Sequence, residues 1–190
     1  MSKERIKSII NEHFELKDSI YSISAQIEKF ANKIVNILKN DGTVFWCGNG
    51  GSASDSQHLA AEFVGRFEKN RSPLKSISLN TDTSILTALS NDYSYGLVFE
   101  RQLEALGNSG DLLVAISTSG NSENIINVLK FAKKKNIFTI ALLGNDGGEA
   151  KNFSNLSIIV PSKSTARIQE MHILIGHIAC SLVEKDIFKV

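Results

Sequence analysis

The sequence has almost no net charge, few cysteines and no long apolar run, and each lack closes off a class of function. A net charge of +1 over 190 residues leaves no basic face for electrostatic binding of nucleic acid. The one basic cluster of note, Lys133-Lys134-Lys135, ends an expected helix, where cations favour the helix dipole. The two cysteines, Cys47 and Cys180, fall on an apolar strand and an apolar helix and read as buried structural thiols, with no sign of an oxidising compartment. No uninterrupted apolar run is long enough to span a bilayer. The opening M-S-K-E-R-I-K begins an amphipathic helix and has no apolar core of signal-peptide type. The expectation is a cytoplasmic protein with neither membrane nor nucleic acid as partner. A hydrophobic content of 42% supports a full core, and 190 residues suit one domain with an appended helical segment.

The most informative stretch is Thr43 to Arg66. Val44, Phe45, Trp46 and Cys47 form a short apolar run that suits a strand buried on both faces. Gly48, Asn49, Gly50 and Gly51 follow as a turn where the backbone can adopt positive φ and a ligand can approach closely. Ser52 and Asp55 have the spacing of an acidic capping box, which predicts a helix start there. Strand, glycine turn and helix N-terminus together make an anion site. The dinucleotide fingerprint is absent, as is the Walker lysine, so the turn suits a small phosphorylated ligand. The same helix carries His58 and Glu62 at i, i+4, on one face. They are either the wet margin of a buried helix or, directly after such a turn, part of a site.

Taken in order, residues 3–40 read as helix with a break near Lys17-Asp18-Ser19. Ile20, Ile23, Ile27, Phe30, Ile34 and Ile37 recur at alternating steps of three and four, close to coiled-coil spacing. The seam could pack on the chain's own sheet. Its length, ahead of a complete α/β unit, points instead to helices of another subunit. Further strands are predicted over 75–79, 111–116, 137–143 and 156–160, with helices over 84–89, 97–106, after Glu123, and from Ser164-Thr165 onward. Alternating strands and helices imply a parallel sheet covered on both faces, a three-layer α-β-α sandwich of five strands. The third strand runs into Ser117-Thr118-Ser119-Gly120-Asn121-Ser122, whose four hydroxyls form a second anion-binding candidate beside the bland reading as turn and cap residues. Neither loop contains lysine or arginine, so anion binding there should depend only weakly on salt. Both loops fall at the carboxyl edge of the sheet, where ligands of such folds bind. The last helix carries Gln169 and His177, eight positions apart and on roughly the same side. A histidine on an apolar helix is often just a satisfied core residue.

Four segments together carry a resemblance: C-G-N-G-G-S-A-S-D-S-Q-H-L-A-A-E, N-D-Y, I-S-T-S-G-N-S-E-N and A-R-I-Q-E-M-H-I-L-I-G-H. They resemble the phosphoheptose isomerases of the SIS (sugar isomerase) superfamily, over essentially the whole chain. The resemblance implies a flavodoxin-like SIS domain over 1–190, with the N-terminal helices of 1–40 used in oligomer packing. It implies a homotetramer with sites at subunit interfaces and one zinc per subunit. It also implies isomerisation of D-sedoheptulose 7-phosphate to D-glycero-D-manno-heptose 7-phosphate, on the route to nucleotide-activated heptose for lipopolysaccharide or capsule. By motif match, Asn49, Gly50, Gly51, Ser52, Glu62, Asn91, Asp92, Ser117, Thr118, Ser119, Ser122 and Gln169 would bind the sugar phosphate. His58, Glu62, Gln169 and His177 match the zinc ligands, and Glu62 and His177 the catalytic pair. Two other readings remain: a non-catalytic SIS module that binds a sugar phosphate or a protein, as in replication-initiator-associating proteins, and an isomerase of another phosphosugar. The intact His58, Glu62, Gln169, His177 set speaks for chemistry.

Overall fold

Apolar runs such as Val44-Phe45-Trp46-Cys47 can fill both sides of a pleated surface, and the five expected strands all form. In the computed structural model, which describes residues 2–189, these are β1 (Val44–Gly48), β2 (Ser76–Ser78), β3 (Leu112–Ser117), β4 (Phe138–Gly144) and β5 (Leu156–Val160). All pair in parallel, in the order β2-β1-β3-β4-β5. The helices are α1 (Lys3–Phe14), α2 (Lys17–Ser22), α3 (Ser24–Lys39), α4 (Gly51–Val64), α5 (Thr83–Asp92), α6 (Val98–Leu106), α7 (Glu123–Lys134) and α8 (Thr165–Phe188). A short 3-10 turn, Tyr95–Leu97, leads into α6.

The period of two along β1 divides the core. Val44 and Trp46 point into the layer built by α3, α4 and α8, while Phe45 and Cys47 point into the layer built by α6 and α7. The chain moves from β1 outward to β2, then crosses back to β3 on the other side of β1. That reversal opens a crevice between the carboxyl ends of β1 and β3. The glycine turn follows β1 and the hydroxyl loop follows β3, so both candidate loops flank the crevice.

The isoleucine seam packs on its own protomer, against the expectation of a partner. Ile20, Ile27, Phe30, Ile34 and Ile37 are buried within the chain, with Ile23 half-buried against the same core. Phe30 meets Trp46 edge-on at 6.3 Å. The reason is that α3 covers the sheet face that α4 and α8 leave open, so its stripe is already spent. Large apolar side chains left exposed include Ile6, Ile10 and Phe14 on α1, Tyr21 on α2, and Leu174 and Leu182 on α8.

The capping box is also corrected. Gly50 is the N-cap of α4 with φ +58°, the helix starts at Gly51, and no side chain caps it. The tight turn brings the helix in early, so Ser52 is already buried in its first turn. The N-cap of α7 is Ser122, again without a side-chain cap. Asp82, by contrast, caps α5 by accepting from the Ile85 N–H at 2.9 Å. The two helices that start at the crevice therefore lack side-chain caps, and the Gly51, Glu123 and Asn124 N–H groups make no hydrogen bond among the described residues.

Candidate active site

The glycine turn and the hydroxyl loop are braced across the crevice by a pair of amides. Asn49 Nδ2 donates to Asn124 Oδ1 at 2.9 Å, and Asn124 Nδ2 donates to Asn49 Oδ1 at 2.9 Å. The Tyr95 hydroxyl adds a third bond to Asn49 Oδ1 at 3.0 Å. Asn124 is buried in the first turn of α7, directly behind the hydroxyl loop. Asn49 thus spends most of its amide on the protein itself.

Within the hydroxyl loop, Ser117 Oγ accepts from the Gly120 N–H at 3.1 Å and Ser119 Oγ from the Asn121 N–H at 3.2 Å. The hydroxyls of Thr118 and Ser122 make no hydrogen bond among the described residues, and Ser122 does not cap. Two hydroxyls thus shape the loop and two are free to meet an anion at the uncapped end of α7. The loop leans on a second glycine turn after β4. Gly120 adopts φ +67°, and a Cβ there would fall on the carbonyl of Gly147. Ala150 N–H donates to Gly120 O at 2.9 Å, and Glu149 N–H donates to Asn121 Oδ1 at 2.9 Å. Beside Ser119 opens a cleft of about 620 Å³, lined also by Asn121, Asn145, Asp146, Ser162 and Lys163. Lys163 brings the nearby cation that neither loop contains in sequence.

A second cluster forms between α4 and α8. His58 Nε2 lies 3.0 Å from Glu62 Oε1, one turn along α4. The His177 ring comes from α8 to stand edge-on to His58, with centroids 5.0 Å apart. One ligand atom from each of His58, Glu62 and His177 lies within 4.8 Å of the others. Close helix packing makes this possible: Gly176 has no side chain, and a Cβ there would come within 2.6 Å of Leu59 Cδ1. Burial holds the His177 pKa below its ordinary value. Nearby His58 acts in the same sense and Glu62 opposes. His177 Nε2 is buried and has no partner among the described residues. An orphaned imidazole nitrogen beside a second imidazole and a carboxylate fits a zinc-type donor set with a position left open.

The remaining candidates are distributed as follows. Gly50 is exposed at the turn, and Gly51 lies under Gln169, whose amide occupies the space a Cβ would need. Gln169 therefore rests at the start of α4, about 10 Å along that helix from His58 at 1.5 Å per residue. His58, Glu62 and His177 converge, and the Gln169 amide lies over Gly51 in the glycine turn. Asn91 and Asp92 end α5, exposed, with Asn91 Nδ2 donating to Asp92 Oδ1 at 2.8 Å.

The SIS domain family matches residues 12–144. The phosphoheptose isomerase of Sulfurimonas denitrificans is 51% identical over 189 residues, covering 98% of this chain and 97% of the other. The chain belongs to the phosphoheptose isomerase family. The Clostridium acetobutylicum phosphoheptose isomerase is 49% identical over 189 residues, covering 98% of this chain and 96% of that one. The solved phosphoheptose isomerase of Neisseria gonorrhoeae superposes with a TM-score of 0.91 at 41% identity, covering 96% of this chain and 98% of its own. That of Francisella tularensis gives 0.93 at 35% identity, covering 97% and 100%. The fold is the SIS fold and the chain is an isomerase.

Against this phosphoheptose isomerase frame, the sequence reading missed several residues around the site. Asp55, read only as a cap, shares a face of α4 with His58 and Glu62 at i, i+3, i+7. Its Oδ2 is buried without a partner among the described residues, and burial pushes its carboxyl up to about 6, against the pull of His58. The spacing Asp-x-x-His-x-x-x-Glu was visible and would have found it. Asn124 and Tyr95 had no such signal, because their partner Asn49 is 75 and 46 residues away.

Proposed function

We propose that this isomerase interconverts D-sedoheptulose 7-phosphate and D-glycero-D-manno-heptose 7-phosphate, the entry to nucleotide-activated heptose for lipopolysaccharide or capsule, in the cytoplasm. The observation that carries the reading is the convergence of Glu62 and His177, from two helices, in a chain whose two crevice loops lead into helices without side-chain caps. The phosphate binds the uncapped N-termini of α4 and α7, with Ser52, Thr118, Ser119 and Ser122 around it. Asn49, Asn91, Asp92 and Gln169 face the sugar chain. Glu62 takes the proton from C1 of the ketose, leaving a cis-enediol across C1 and C2, and returns it to C2. His177 carries the oxygen protons, one onto O2 and one away from O1, which becomes the aldehyde. No outside oxidant or reductant enters, because the two carbons exchange oxidation level between themselves.

His58, Glu62 and His177 would hold one zinc per subunit, with Gln169 the fourth candidate. When bound there, the ion supplies Lewis-acid polarisation of the sugar oxygens. The whole chain reads as one SIS domain, and the exposed apolar side chains of α1 and α8 support packing into a homotetramer with sites at its interfaces.

The test is to incubate the protein with sedoheptulose 7-phosphate in D2O and follow deuterium at C2 of the aldose by NMR, with and without chelator. Aldose carrying deuterium is expected, with chelation slowing its appearance and zinc restoring it. Glu62→Gln should lower kcat about 10²–10⁴-fold, the usual range for loss of a general base. No aldose from the parent protein would refute the substrate, and near-parental turnover in Glu62→Gln would remove the base.

A further inference from the structure

The segment after α4 closes on a buried ion pair that touches the backbone of the site on both sides. Arg71 and Glu184 are 4% and 3% exposed at their side chains, with Arg71 Nε 3.0 Å from Glu184 Oε2. Arg71 Nη2 donates to the carbonyl of Glu62 at 2.7 Å, and Nη1 donates to that of Phe63 at 2.7 Å. These are carbonyls of the last turn of α4, which that helix cannot satisfy itself. Glu184, from α8, accepts from the N–H groups of Phe67, Glu68 and Lys69 at 3.2, 3.0 and 2.7 Å. Burial pushes its pKa up, but those N–H groups and Arg71 outweigh burial and hold it below the ordinary glutamate value. Phe67, fixed by its N–H, lays its ring 5.5 Å from the His177 ring at a tilt of 34°. One end of the pair thus grips the peptide of Glu62, and the other seats the ring that backs His177.

The structure assigns Arg71 and Glu184 as positioning residues that set Glu62 and His177 against each other across the α4–α8 gap. The assignment rests on the acid/base roles given above to Glu62 and His177. A buried ion pair by itself is a poor source of stability, since apolar residues of similar volume can replace one without loss. Apart from the contact between the two, their hydrogen bonds here go to the backbone of the last turn of α4 and of the segment that follows it. The pair acts through geometry and touches no reacting atom.

The test uses three variants of the full chain: Arg71→Lys, which keeps the charge but cannot fork onto two carbonyls; Glu184→Gln; and the apolar double variant Arg71→Met/Glu184→Met. Each is read by thermal unfolding, by kcat and KM separately, and by NMR of the metal-free protein labelled at histidine Cε1. Only four histidines contribute signals. In folded variants kcat should fall about 10–100-fold, as for lost outer-shell partners, with KM little changed. The His177 signal should leave its parental position as the Phe67 ring shifts. A purely structural pair would lower the melting temperature while the folded protein kept its parental kcat and His177 signal. That result, or failure of all three variants to fold, overturns the assignment. The NMR comparison stands whatever sugar phosphate the parent turns over, so failure of the substrate reading would be seen separately.

Discussion

His172 offers a quantitative test of how tightly α8 is packed onto the sheet. It is 0% exposed, its Nε2–H donates to the carbonyl of Leu143 on β4 at 3.0 Å, and its Nδ1 has no partner among the described residues. Charging it would bury a cation in the core. Burial therefore pushes its pKa down to about 4 from 6.5, with the bond to Leu143 opposing. Above pH 6.5 neither the folded nor the unfolded chain protonates this ring. Between pH 6.5 and 4 the unfolded chain binds the proton and the folded one does not, so stability falls as pH falls. At about 1.4 kcal/mol per pH unit, that window is worth about 3 kcal/mol. His172→Gln removes the titration and keeps an N–H donor near the same carbonyl. Urea unfolding at a series of pH values, followed by the fluorescence of the single, buried Trp46 at fixed protein concentration, yields the two stability curves. Asp55 titrates with the opposite sign, since its raised pKa makes the folded state the better proton acceptor between 3.8 and about 6. It is common to both proteins, as is His177, and drops out of the difference. Parent minus variant should rise by about 3 kcal/mol from pH 4 to pH 7. A flat difference curve would refute the claim that the folded core keeps this imidazole neutral.

Two further substitutions probe the site's framework. Gly176→Ala places a methyl against buried Leu59, so overpacking should cost about 1–3 kcal/mol, only partly offset by about 1 kcal/mol of helix propensity. Thermal unfolding of the single variants and of Gly176→Ala/Leu59→Ala should show the double variant less destabilised than the sum, and strict additivity would contradict the contact. Asn124→Ala removes the brace between the two loops and leaves the Asn49 amide short of a partner, at a cost of about 1–3 kcal/mol. Steady-state kinetics should show KM for the sugar phosphate raised more than kcat is lowered, and the reverse pattern would argue against a bracing role.

What could be read from the sequence was what depends on near neighbours. The run Val44-Phe45-Trp46-Cys47 is apolar at every position and became a strand covered on both faces. The two loops were recognisable because turn chemistry is local, and their shared edge followed from the alternation of strands and helices. His58 and Glu62 met as expected, since four residues along a helix fix their spacing. The misreadings arose where a local rule met a long-range one. The seam from Ile20 to Ile37 has coiled-coil spacing, but whether it faces a neighbour or its own sheet depends on how much of that sheet α4 and α8 leave bare. Ser52 and Asp55 have the spacing of a cap, yet the sharp turn at Gly50 starts the helix ahead of both. The segment from Glu68 to Pro73 carries no apolar pattern, and nothing nearby announces that Arg71 pairs with a residue 113 positions on.

The meeting of the hydroxyl loop with the turn at Gly147 and Gly148 bears on re-engineering. There, main chain abuts main chain at Gly120, and no rotamer can swing aside to admit a bulkier neighbour. Libraries that vary 117–122 alone would sample mostly misfits. A transplant of new specificity into this edge should move 117–122 and 144–150 together, as a single cassette.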